Sequence, residues 1–484
     1  MRRRTLAAAG SLAAGALVAG SAVTLAALDG SHVSAAEVTA ATGHRPARPG
    51  DLDGDGRREL ILPNGGGAGV GGHSGRIIVV PTGPHGPLPA QANGYTRGSL
   101  GLPTQPDSSE SYGDVATSAD FDGDGYADLA VSTWARDEKV SGAVVVYGGP
   151  KGLTNRYVNL RGPVVGQLVA ADFDGDGKQD LVAVDRDVST DGYFYYRMYA
   201  HLGAAAVKPA VVRVTKSVEE DEWLRATAAD FNGDGKADLA LTFDSWVDEG
   251  PRKAGFGEVR YGSAKGLGAA KRFGTTWPYG QLAAGDVNGD HRADLVVRKY
   301  TGRAAGQIAV LYGGKSGLGK PVAFSKDTPG VPGAGAKGDE FGASLAVGDV
   351  NGDGLADVAV GSPGTVIGKA RSTGAVSVLY GTRKGLTGKG ARSVNLSVAG
   401  MPGPVREGDG FGGAVALQDL NGDGKADLVV GADGRAYPHH SDVYGALYFL
   451  PGGKGGPLIK GMTWISPFTL RVKHNPELGS GIVR

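Results

Sequence analysis

The residues of this chain best placed to do chemistry are carboxylates, and they recur in one pattern. A nine-residue phrase starts at Asp51, Asp120, Asp172, Asp230, Asp286, Asp349 and Asp419, at steps of 52 to 70 residues. It reads Asp, apolar, Asp or Asn, Gly, Asp, Gly, two variable residues and an acid; only the fifth copy replaces the second Gly, with His291, and only the first ends in Glu, at Glu59. The oxygen-bearing positions 1, 3, 5 and 9 are Asp51, Asp53, Asp55 and Glu59 in the first phrase, Asp120, Asp122, Asp124 and Asp128 in the second, and Asp172, Asp174, Asp176 and Asp180 in the third. Asn enters at position 3 in the remaining four: Asp230, Asn232, Asp234 and Asp238; Asp286, Asn288, Asp290 and Asp294; Asp349, Asn351, Asp353 and Asp357; Asp419, Asn421, Asp423 and Asp427. Four oxygen-bearing side chains, a Gly that permits a sharp turn and the carbonyl of position 7 can converge on one hard cation, and Ca2+ suits an all-oxygen cage. Like charges about 4 Å apart repel by roughly 4 kcal/mol at an effective dielectric near 20, so such crowding calls for a counter-ion. Residues at positions 7 and 8 are expected to point outward and leave that role to a metal.

Elements that could position these loops follow from the flanks. An apolar, β-branched run follows every phrase, as in LAVST after Asp128 or LVVGA after Asp427. A second strand such as GAVVVYGG closes on a Gly turn, a weaker strand precedes the phrase, and a fourth follows the turn. Four strands in each of seven units predict an all-β, seven-bladed β-propeller over residues 37–484, with calcium-binding loops in each blade at 51–59, 120–128, 172–180, 230–238, 286–294, 349–357 and 419–427. A helix-loop-helix calcium site is excluded because position 12, where its bidentate acid belongs, is apolar in every copy. The first unit has a poor preceding strand, since HRPARPG carries two prolines. The C-terminal PELGSGIV, with Leu478 and Gly479, is predicted to fill that place and close the ring.

Composition narrows the partners. There is no Cys, so disulfides, thiol nucleophiles and Cys-ligated metal are excluded, and 85 Gly with 25 Pro indicate many turns. Lys plus Arg equals Asp plus Glu at 50 each, which offers no charge-based reason to bind nucleic acid. Arg2, Arg3 and Arg4 precede an uncharged Ala/Gly-rich run from Thr5 to Leu28 and a small-residue stretch ending at Ala36. This predicts a signal peptide over residues 1–36 and a secreted, extracellular, monomeric protein with no stable membrane span after cleavage; an uncleaved anchor is the alternative.

Phe341-Gly342 before the sixth phrase, Gly361-Ser362-Pro363 after it, and Phe411-Gly412 and Gly431-Ala432 around the seventh resemble the FG-GAP (VCBS) repeat of the integrin α-subunit amino-terminal β-propeller. Tyr112-Gly113 and Tyr279-Gly280 are softer copies of the same opening. The resemblance implies calcium loops joining the first and second strands on one face, supporting the fold, with ligands bound on the opposite face. Loops between second and third strands then carry the candidate ligand-binding residues Trp134, Arg136, Trp246, Tyr437 and His439, since exposed aromatics beside charged groups can stack on sugars or anchor a protein. Lys337-Gly338-Asp339 sits where the repeat has its acidic approach to Phe-Gly and reads as structural. No nucleophile elbow, metalloprotease helix, phosphate loop or dinucleotide fingerprint is present, so no catalytic residue is assigned. The function predicted is an extracellular binding or adhesion module for a protein or glycan ligand. The alternative is a secreted polysaccharide lyase or phospholipase-like hydrolase, because related repeats occur in such enzymes; it would draw on Asp185, Asp187 or His439.

Overall fold

A computed structural model describes residues 47–64, 75–102, 110–135, 142–161, 165–188, 194–201, 222–245, 256–273, 279–299, 305–437, 440–470 and 478–483. The predicted signal segment, residues 1–36, lies outside them. The described residues are strands, turns and two short 3-10 segments, and none of their helices is long and apolar enough to cross a membrane.

Strands pair antiparallel with their sequence neighbours, so each sheet is a meander. Sheet 1 holds Leu60–Asn64, Arg76–Val80 and Asn93–Tyr95; sheet 2 holds Glu110–Ala119, Asp128–Ala135, Gly142–Val146 and Tyr157–Arg161; sheet 3 holds Val165–Ala171, Asp180–Val188 and Phe194–His201. Sheet 4 is Glu222–Ala229, Asp238–Ser245, Phe256–Arg260 and Ala270–Phe273, and sheet 5 is Tyr279–Gly285, Asp294–Lys299, Gln307–Leu311 and Pro321–Phe324. Sheet 6 is Ser344–Gly348, Asp357–Ser362, Ala375–Tyr380 and Thr387–Val394, and sheet 7 is Ala414–Gln418, Asp427–Tyr437, His440–Leu450 and Thr463–Ile465.

This corrects the seven-bladed expectation. Sheets 2 to 7 share one plan, an inner strand, the acidic loop, then a second and a third strand, and make six blades rather than seven. Sheet 1 has three strands and no inner one among the described residues. The cause is local: Pro49, just ahead of its phrase, has no N–H to give a ladder. In sheet 3 three strands lie among the described residues, and residues 202–221, which follow the third, lie outside them.

Burial follows the stacking. The second strand of sheet 6, DVAVGS, is buried at all six positions. Such continuous burial arises when both faces of a sheet are covered. Apolar clusters lie between each consecutive pair of sheets: Ala130 with Leu181, Val182 with Leu239, Ala240 with Leu295, Val296 with Val358, and Ala359 with Val430. Leu60 and Ile78 join Val429 and Phe449 across sheets 7 and 1, and Ile77 joins Leu129 across sheets 1 and 2. The tail runs along sheet 1. Val483 N–H donates to the Ile61 carbonyl at 3.0 Å, and Gln418 Nε2 donates to the Val483 carbonyl at 3.1 Å. Leu478 packs against the Gly445 backbone as Phe411 packs against Gly374, so Leu478-Gly479 occupies the Phe-Gly place without forming a strand.

Candidate metal-binding face

Each acidic phrase links an inner strand to a second strand, or opens directly into Leu60 in sheet 1, at one end of the sheets. Its position 2 side chain anchors it: Leu52, Phe173, Phe231, Val287, Val350 and Leu420 are fully buried and Phe121 nearly so, each inside a cluster between adjacent sheets. Burying one such side chain contributes about 1.5–3 kcal/mol.

Above that plug the polar atoms fold inward. In the sixth phrase Asp349 accepts the N–H groups of Gly352 at 2.7 Å, Asp353 at 3.2 Å and Gly354 at 2.7 Å. Asn351 Oδ1 accepts Asp353 N–H at 2.8 Å, and Asp353 Oδ1 accepts Leu355 N–H at 3.0 Å. Gly352 and Gly354 sit at φ of 77° and 82°, a left-handed conformation that Gly adopts without steric cost. The fifth phrase keeps the same turn with His291 at φ 65°, its N–H donating to Asp286 at 2.8 Å.

The position 9 acid is a buried latch. Asp357 Oδ2 accepts Val350 N–H at 3.1 Å, and its Oδ1 accepts Gly381 N–H, from the Gly turn after the third strand, at 3.0 Å. Asp128 holds Phe121 and Gly148 in the same way, Asp238 holds Phe231 and Gly262, Asp294 holds Val287 and Gly313, and Asp427 holds Leu420 and Gly452. Burial pushes these carboxyls up, against the pull of their N–H donors: Asp128 and Glu59 to about 8, Asp357 to about 7, and Asp238, Asp294 and Asp427 to about 6. Neighbouring phrases are tied in series, since Ala127, Ala237, Ala293, Ala356 and Ala426 at position 8 donate to the position 1 carbonyl of the phrase before, at 2.7 to 2.9 Å.

Three phrases bring carboxylates close enough to share an ion. Ligand oxygens of Asp51, Asp53 and Asp55, of Asp120, Asp122 and Asp128, and of Asp172, Asp174 and Asp180 lie within 4.8 Å of one another in each group. These are the phrases with four acids. The expectation of a calcium loop in every blade is therefore not carried by the described residues. The donor set of the first phrase fits a hard cation best, because Asp51 Oδ1 is buried and has no hydrogen-bond partner.

Position 7 departs from expectation in four of the phrases. Arg57 pairs with Asp55, Lys178 with Asp176 at 3.8 Å, Arg292 with Asp290 at 3.5 Å and Lys425 with Asp423 at 3.2 Å. In these four phrases the position 7 side chain turns back onto position 5 instead of pointing away, and backbone N–H groups with these cations offset part of the repulsion assigned to a metal alone. Sequence reading also missed Arg156, which reaches the second phrase from 28 residues beyond its last acid, a distance no local pattern reveals.

Of the candidate ligand residues, Arg136, Trp246 and His439 lie outside the described residues. Trp134 is half-buried near the end of its strand, opposite Ser111. Tyr437 donates to the Gly445 carbonyl at 2.8 Å, stacks on Trp464 at 6.3 Å and meets Phe468 edge-on at 5.1 Å. The structure does not bring Trp134 and Tyr437 together: they stand on sheets 2 and 7. Asp339 is buried 3.1 Å from Lys326 Nζ, and Asp409 holds the same place beside Arg435 at 2.9 Å, which fits the structural reading of the acid before Phe-Gly.

A family profile of the FG-GAP repeat matches residues 279–311, 341–379 and 411–450, and one of the FG-GAP-like repeat matches 172–241. With the sheet plan above, they make this chain an all-β propeller that carries FG-GAP repeats. Phosphatidylinositol-glycan-specific phospholipase D of Rattus norvegicus is 34% identical over 164 residues, covering 32% of this chain and 18% of that protein. Integrin alpha pat-2 of Caenorhabditis briggsae is 38% identical over 165 residues, covering 32% of this chain and 13% of that protein. The chain spans less than a fifth of the length of these relatives. Among solved structures, the six-bladed β-propeller lectin of Aleuria aurantia superposes with a TM-score of 0.35 at 15% identity, covering 72% of this chain and 94% of that one; nothing further follows at that score.

Proposed function

We propose that this chain is an extracellular binding module, a propeller braced by calcium in the acidic loops at one end of its sheets and presenting a protein or glycan ligand site at the other. Segregation is the observation that carries the reading. Acidic loops and Gly turns are latched together at one end, where the position 9 carboxylates bridge them. The second strands run away from that brace and end at the opposite end of each antiparallel hairpin, where variation in sequence does not disturb it. Asp51, Asp53 and Asp55 would hold one ion, and Asp172, Asp174 and Asp180 another; bound there, calcium would neutralise the carboxylates and stiffen the hairpin. Its repeats are shared with an enzyme and with integrins alike, which favours a common binding scaffold over a common chemistry. The N-terminal leader pattern supports export to a calcium-rich compartment.

The test is binding of the purified full chain to arrays of surface polysaccharides and extracellular proteins, with calcium and with chelator. Calcium-dependent capture of one class is expected. Absence of capture in both conditions overturns the proposal.

A further inference from the structure

The second phrase differs from the others in what faces its carboxylates. The side chain of Asp122, at position 3, is only 4% exposed, and Arg156, itself half exposed, places Nη2 2.6 Å from its Oδ2 and Nη1 4.0 Å from Asp124 Oδ2. In the first, third, fifth and seventh phrases the phrase's own position 7 cation meets position 5, whose side chain is 33 to 45% exposed, and Arg48 stands a looser 3.9 Å from Asp419 of the seventh. In the second phrase position 7 is Tyr126, which lies against Gly54 of the first phrase and brings no charge.

Arg156 is held in place. Its guanidinium lies over the Tyr147 ring, 4.8 Å from the centroid. Its carbonyl accepts Tyr147 N–H at 3.0 Å, and its N–H donates to Thr154 Oγ1 at 3.1 Å. That same turn carries Gly148, whose N–H latches Asp128. Asp120 is engaged as well: Oδ1 accepts Gly123 and Asp124 N–H, and Oδ2 accepts Gly125 N–H at 3.0 Å and Ala47 N–H, from outside the phrase, at 3.1 Å.

We infer that Arg156 is a built-in counter-ion of the second phrase, which competes with a divalent cation for Asp122 and makes this loop the weak or late-filling member of the three that gather carboxylates, despite its four acids. The inference rests on the proposal that these loops take such ions. A guanidinium held by a ring and a turn loses little entropy in staying, whereas an incoming ion must first displace a charge-assisted hydrogen bond.

Calcium bound per chain, counted by equilibrium dialysis over a range of free calcium, tests it with wild type, Arg156→Gln and Arg156→Lys. Arg156→Gln should fill one site at about tenfold lower calcium or less, the weight of one charge-assisted hydrogen bond, and should melt lower than wild type in chelator. Arg156→Lys, which keeps the charge, should follow wild type. Identical occupancy curves for wild type and Arg156→Gln overturn the inference alone. No bound calcium in either protein overturns both the inference and the reading of the loops as ion sites.

Discussion

Replacing Asp357 by Ala separates the two roles open to the position 9 acid, latch and metal ligand. Its oxygens accept Val350 N–H at 3.1 Å and Gly381 N–H at 3.0 Å in a fully buried site. Truncation leaves two buried donors without acceptors, at about 1–3 kcal/mol each. Relief of the carboxylate's own burial, visible in a pKa pushed up to about 7, offsets part, leaving an expected net loss of about 2–4 kcal/mol. Asp357→Asn keeps one good acceptor and should lose about half as much. Urea denaturation in chelator is the assay, since any metal contribution is then removed. A loss in chelator below about 0.5 kcal/mol, within the range of an ordinary surface substitution, would refute the latch and leave position 9 acting through a metal.

Three further outcomes follow from the same geometry. His291→Gly should stabilise by about 1 kcal/mol, because a side chain at φ 65° carries a left-handed penalty that Gly does not; a lower urea midpoint would contradict it. Leu478→Ala should destabilise by about 2–4 kcal/mol by emptying a site that is 2% exposed between sheets 7 and 1, and an unchanged midpoint would show that the tail does not brace the ring. In chelator the melting temperature should fall as pH rises from about 4 to 8. Glu59, Asp128, Asp238, Asp294 and Asp427 have folded values of about 6 to 8, above an unfolded value near 4, so this stabilisation is full below pH ~4 and lost through the folded pKa. A melting temperature that rises over that range would contradict the burial argument.

Much of the fold was legible because the repeat is long, regular and punctuated by Gly. The strand after each phrase starts at or next to its position 9 acid, as the apolar runs predict. The place of Leu478-Gly479 was legible too, from a two-residue echo of Phe-Gly. Blade number was not, since the pattern counts phrases while a blade needs an inner strand, and Pro49 denies sheet 1 a ladder there. At the site, types and spacing identified the carboxylates but not their partners. Which oxygens stay open for an ion depends on backbone N–H groups, as at Asp349, and on cations distant in sequence, as at Asp122. Tyr437 shows the same limit, because a strand-end aromatic reads alike whether it faces a ligand or packs on Trp464.

Thermal unfolding of the full chain at pH 7.5, in millimolar calcium and after chelation, meets the account where it is most exposed. Ions that bind only the folded loops must raise the melting temperature by mass action. A clear rise that Asp51→Ala diminishes is expected; superimposable curves in calcium and chelator would contradict calcium bracing of the loops.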